Sequence, residues 1–145
     1  MKRLHAKYLF ALLIVITVSS SLSAQNIVGS WKRTAIVTTY IDGKTTDEMS
    51  VITKEMPCTA DIVYVFEANG NLTMRVPKGC PIPAVVSTWK TNGSTLTTSM
   101  KGFSTTDQVS VSGNTMTTTH DYSPKDKYVP KGAKSIKIVY KKISD

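Results

Sequence analysis

From residue 62 onward, apolar and polar positions alternate with a period of two, and short glycine turns interrupt the alternation. Successive side chains of a strand point to opposite faces, so this pattern predicts half-buried β-strands joined as hairpins. In "IVYVFEANGNLTMRV", residues 62–76, the register that faces Phe66 with Leu72 also faces Tyr64 with Met74 and Ile62 with Val76. It needs a three-residue loop, Ala68-Asn69-Gly70, with glycine in the left-handed position. A two-residue Asn69-Gly70 turn would instead oppose Phe66 to Thr73 and Tyr64 to Arg75, mixing apolar and polar residues on one face, and is rejected. Continued outward, the accepted register brings Cys58 opposite Cys80.

The next segment, "VVSTWKTNGSTLTTSM" at 85–100, predicts a hairpin about a two-residue Asn92-Gly93 turn. That turn pairs Trp89 with Leu96, Ser87 with Thr98 and Val85 with Met100. A third hairpin about Gly113-Asn114 pairs Val111 with Met116, Val109 with Thr118 and Asp107 with His120. The closing strand "SIKIVYKKI", 135–143, places Ile136, Ile138 and Tyr140 on one face. The first strand, 28–40, and a partner near 45–54 show no clean alternation, and their register stays open. Residues 87–119 hold 17 Ser or Thr among 33, which disfavours helix interiors and favours strands. The reading is an all-β chain with no convincing helix after residue 24. Eight or nine antiparallel strands run in sequence order, an up-and-down sheet whose closure into a single barrel removes its edges.

The first 24 residues are of another kind. Lys2, Arg3 and Lys7 precede the apolar run "YLFALLIVITV", and the small residues "SSSLSA" follow. This order marks a secretory signal peptide, residues 1–24, cleaved after Ala24 to leave one domain over 25–145. The run is short for a membrane-spanning helix, so no transmembrane segment is expected after cleavage. An exported chain is expected in the periplasm, on the outer surface or secreted. There Cys58 and Cys80 form a disulfide that closes a loop of about 23 residues, contributing about 3 kcal/mol.

Charge changes the picture little. Residues 25–145 carry 15 Lys and Arg against 10 Asp and Glu, a net of +5, and seven lysines fall between Lys125 and Lys142. No aromatic residues interleave with them as a base-stacking platform, so a solvated face is preferred to a nucleic-acid partner. His120 is the sole histidine after residue 24. There is no nucleophile elbow, paired-carboxylate motif, phosphate loop or Cys/His cluster, so neither an enzyme, a metal nor a cofactor is expected. The "NLT" at 71–73 and "NGS" at 92–94 are read as turn chemistry rather than glycosylation sites.

Four stretches in order, "IVGSWK", "YVFEANGNLTM", "STWKTNGSTLT" and "IVYKKI", resemble bacterial secreted lipocalin-like domains, whose first strand opens with Gly-x-Trp. The resemblance spans nearly all of residues 27–143. It implies that Trp31 plugs the closed end of a barrel, that Gly29 admits a close backbone approach, and that a cation from the last strand covers the indole. The family usually uses arginine there; this chain offers Lys141 or Lys142. It also implies a small, largely apolar ligand within the barrel. The candidate lining is Tyr64, Phe66, Met74, Trp89, Met100, Val109 and Tyr140, with Asp107 and His120 as a polar anchor. The same residues would also make a filled core, with Asp107–His120 an ordinary cross-strand ion pair. The protein would then act through its surface, as an interaction or inhibitor module in the cell envelope.

Overall fold

A computed structural model of the chain describes residues 26–144. The leader and its cleavage site lie outside the described residues. Nine strands run in chain order: β1 (Gly29–Tyr40), β2 (Thr45–Asp47), β3 (Val63–Phe66), β4 (Asn71–Arg75), β5 (Val86–Asn92), β6 (Thr95–Met100), β7 (Phe103–Ser112), β8 (Thr115–Asp121) and β9 (Ala133–Ile143). From β3 to β9 each strand pairs antiparallel with the next, and β1 pairs with both β3 and β9. Those eight strands close a barrel. The ninth, β2, pairs with residues 37–39 of β1, beyond the point where β3 leaves it.

The alternation of β1 fails for a local reason. A bulge at Thr34 shifts its register against β9, so Trp31 and Arg33 face inward before it, and Ile36 and Thr38 are buried after it. The expected strand over 45–54 is corrected: only 45–47 are extended, and Glu48–Glu55 form a helix, α1, followed by a 3-10 helix over Pro57–Asp61. The Asp47 carboxylate caps α1 by accepting from the Met49 N–H at 3.0 Å. Glu48 in the first turn and Lys54 in the last complement the helix dipole. These end signals prevail over the strand preference of Val51, Ile52 and Thr53. The helix packs on β1 and buries Met49.

The first hairpin has the expected register, Phe66 with Leu72 and Tyr64 with Met74. Its loop is Ala68-Asn69-Gly70, with Gly70 at φ 87°. The ladder ends at Val63–Arg75, however, so Ile62 and Val76 are not paired in it. Cys58 and Cys80 meet as a disulfide, with Cα atoms 5.7 Å apart, between the 3-10 helix and the turn after β4. The bond therefore ties the irregular segments flanking the hairpin. The third hairpin also has the expected register, Val111 with Met116 and Val109 with Thr118.

The second hairpin is displaced by two residues. Asn92 pairs with Thr95, Thr91 with Leu96 and Trp89 with Thr98, about a Gly93-Ser94 turn. Glycine thus takes the first turn position, as Gly113 does in the third hairpin. A shift of two preserves the inward face, and Leu96 is buried within it. Ile27, Trp31 and Met116 are the largest fully buried side chains, and Phe66, Leu96 and Val109 pack into the same core.

Candidate functional site

Trp31 is wholly buried, and its indole N–H donates to the Ile27 carbonyl at 2.8 Å. Lys142 is the lysine of β9 that covers it: Nζ lies 5.4 Å from the ring centre and donates to the Val28 carbonyl at 3.1 Å. Lys141 instead donates to the Thr115 hydroxyl. Gly29 explains how Lys142 gets there. A Cβ at this position would lie 2.7 Å from Lys142 Cε, and its φ of 134° disfavours any side chain.

The barrel also holds a cavity of about 340 Å3. Leu72, Leu96, Phe66, Ile136 and Ile138 give it apolar walls. Its polar lining includes Arg33, Tyr64, Tyr140, Asp107, His120, Asp126 and Lys127 with Thr98, Thr105 and Thr118, and Tyr122, Tyr128 and Phe103 also line it. A second cavity of about 250 Å3, bounded by Met74, Val85, Met100 and Phe103, shares the walls Tyr64, Leu72 and Thr98 with the first. A third, also about 250 Å3, lies under α1 between Met49, Ile52 and Ile62, and is again walled by Arg33 and Tyr64.

Two electrostatic clusters occupy the first cavity. In one, His120 Nδ1 lies 2.8 Å from Asp107 Oδ1 and Nε2 lies 3.4 Å from Asp126 Oδ1. A protonated imidazole donates to both carboxylates and joins β7 and β8 to the segment linking β8 with β9. Burial opposes the charge on His120, but the Asp107 hydrogen bond and the two carboxylates outweigh it, and its pKa is raised. Burial also raises Asp107, against the pull of His120. Asp126 is lowered, first by the Ser123 N–H that it accepts.

The other cluster was not legible as a site. Arg33 stacks over Tyr64 at 4.4 Å and lies 5.9 Å from the Tyr140 ring centre, while the two tyrosines meet edge to face at 5.7 Å. Burial works against the guanidinium charge, yet Tyr140 and Tyr64 favour it, and its pKa is raised further: the group is a permanent cation. In the sequence Arg33 is one more basic residue beside Lys32; it faces inward because it stands two residues after the buried Trp31, ahead of the bulge. Lys32, its neighbour, faces out to pair with Asp61 at 2.9 Å.

The predicted residues divide accordingly. Tyr64, Phe66, Tyr140, Asp107 and His120 line the first cavity, and Met74 and Met100 line the second. Trp89 and Val109 line neither. Trp89 packs edge to face on Phe66 and donates its indole N–H to the Glu67 carbonyl at 3.1 Å, while Val109 is buried in the core. Among the described residues no cluster of His, Cys, Asp and Glu is arranged to hold a metal ion, and no helix is long and apolar enough to cross a membrane. No family model, no curated protein and no solved structure matches the chain.

Proposed function

We propose that this protein is an exported, non-enzymatic, lipocalin-like binding protein that holds a small, largely apolar ligand inside its barrel. The observation that carries the reading is the cavity of about 340 Å3, where Phe66, Leu72, Leu96, Ile136 and Ile138 meet tyrosine and threonine hydroxyls and the charged groups Arg33, Asp107 and His120. That combination is the general character of small-molecule sites. The disulfide between Cys58 and Cys80 suits an oxidising compartment, and the leader-like first 24 residues suit export. The test is titration of the folded, delipidated protein with the neutral dye N-phenyl-1-naphthylamine. Saturable binding with quenching of tryptophan emission is expected, and its absence overturns the reading.

A second reading draws on the rim. Phe103 and Tyr128 both line the cavity yet are 52% and 76% exposed, and Met100 beside Phe103 is 46% exposed. An apolar rim of this kind also suits a protein partner. On that reading Phe103→Ser and Tyr128→Ser would abolish partner binding while leaving dye uptake unchanged.

A further inference from the structure

An up-and-down barrel sends its connections alternately to opposite ends. The turns at 67–70, 93–94 and 113–114 share the end that holds Gly29 and Trp31. They carry neither a lysine nor an exposed large apolar side chain. The connections at 41–44, 76–85, 101–102 and 122–132 share the other end. The Ile41 N–H donates to the Gly132 carbonyl at 2.9 Å, Phe103 and Tyr128 line one cavity, and Val85, Met100 and Phe103 line another, so all four connections gather around one mouth. Here Ile41, Met100, Phe103, Tyr128 and Val129 stand exposed, five of the nine such large apolar side chains among the described residues. The same connections hold six lysines against two aspartates. Asp42 is paired with Lys44 at 3.2 Å, and Asp126 turns back to His120 at 3.4 Å. Lys78, Lys101, Lys125, Lys127 and Lys131 are exposed, and no carboxylate among the described residues forms an ion pair with them.

We infer that this end of the barrel docks on an anionic phospholipid membrane, with Met100, Phe103 and Tyr128 entering the headgroup boundary and Lys101, Lys125 and Lys127 meeting the lipid phosphates. The inference concerns the outside of the mouth and holds whether or not the cavity takes a guest. Binding to a membrane surface needs apolar area to bury and positive charge to draw anionic lipid, and both stand together here. Tyrosine suits the boundary, because its ring is apolar and its hydroxyl stays wet. Lys127 Nζ lies 5.4 Å from the Tyr128 ring centre, so charge and ring reach the surface side by side. The apolar tips rise from separate connections around a hollow instead of forming one packed patch. A protein partner would need matching relief and a set of carboxylates to cover them, whereas lipid flows around projecting tips. Helix α1 carries Glu48 and Glu55 against Lys54, so the contact centres on the β6–β7 turn and the β8–β9 connection and not on the helix.

In the experiment the exported protein, purified without detergent, is floated with vesicles of phosphatidylcholine alone and of phosphatidylcholine with about one-third phosphatidylglycerol. Binding to the mixed vesicles is expected to be about tenfold or more tighter than to the neutral ones, and to weaken as salt is raised. Lys101→Glu with Lys127→Glu should remove that preference. Phe103→Ser with Tyr128→Ser should weaken binding to the mixed vesicles by about tenfold. Lys90→Glu with Lys141→Glu, the same charge change on exposed lysines of β5 and β9 away from the mouth, should leave binding in place. Should a serine variant not fold, Phe103→Trp puts a reporter at the tip, and brominated lipid in the mixed vesicles must quench its emission more than that of the wild type. Failure of the wild type to float with either vesicle overturns the inference, leaves the rim to a protein partner and does not touch the dye titration. Equal weakening by the Lys90 and Lys141 pair shows an attraction of the whole molecule's charge and overturns the docking end. A lipid-free dimer that Phe103→Ser dissociates assigns the rim to a second copy of this chain and also overturns it.

Discussion

Replacing Trp31 with alanine tests whether its buried indole plugs the barrel. The indole is wholly buried, and a tryptophan buries about 150–250 Å2. At about 25 cal/mol per Å2 that is about 4–6 kcal/mol, in line with the 3–5 kcal/mol range of large aromatic truncations. Two specific contacts go with it. The Ile27 carbonyl loses its donor at 2.8 Å, and Lys142 loses the ring beneath it. The second is worth about 0.5–1 kcal/mol at a partly exposed site. The overall expectation for Trp31→Ala is a loss of about 4 kcal/mol, a large share of the 5–15 kcal/mol that holds an ordinary domain together. Trp31→Phe, which keeps much of the ring but abandons Ile27, should lose about 1–3 kcal/mol. Urea denaturation reads both directly, because Trp89 remains as the sole tryptophan and its emission reports the hairpin that packs on Phe66. A loss below about 1 kcal/mol for the alanine variant would refute the plug, since truncating a large buried aromatic costs about 3–5 kcal/mol.

Reduction of the Cys58–Cys80 bond, whose partners lie 22 residues apart, should lower stability by about 3 kcal/mol, read from denaturation with and without a reductant. Unchanged stability would mean that the unfolded chain is not restrained by the bond. For His120 the sign follows from its raised pKa: the stabilisation is full below the unfolded value of about 6.5 and is lost as pH rises through the folded value. The stability gap between wild type and His120→Gln should therefore narrow as pH rises above about 6.5, measured by denaturation at stepped pH. A gap that stays constant there would show that the imidazole charge contributes nothing.

The parts of this protein that could be read from sequence are those where one local rule acts alone. Gly70 and Gly113 each close a turn whose apolar flanks agree with only one register, and both hairpins are found so. Around Asn92-Gly93 two turns preserve the same inward face, and periodicity could not choose between them. The decision falls to the turn itself, where glycine takes the first position and Thr95 donates its hydroxyl to the Asn92 carbonyl. Helix α1 was obscured because its β-branched residues argue for strand while its evidence lies at its ends, in Asp47 and Lys54. Arg33 was obscured for the opposite reason. A charged side chain on the inward face breaks the apolar pattern, and the bulge that follows shifts the parity of the rest of β1, so no single alternation runs along the strand.

The seam between β1 and β9 has a consequence for how the chain is made. The strand that begins the barrel finds this partner 93 to 113 residues later, with Tyr40 beside Ala133 and Ser30 beside Ile143. Contacts so distant in sequence make for slow folding, since a long loop must be ordered before they form. A growing chain therefore has β1 and β8 with bare hydrogen-bonding edges until the eleven-residue β9 is complete. During that interval it is a template for pairing with other chains. Deletion of β9 would not merely shorten this protein; it would leave an open, adhesive sheet in place of a closed one.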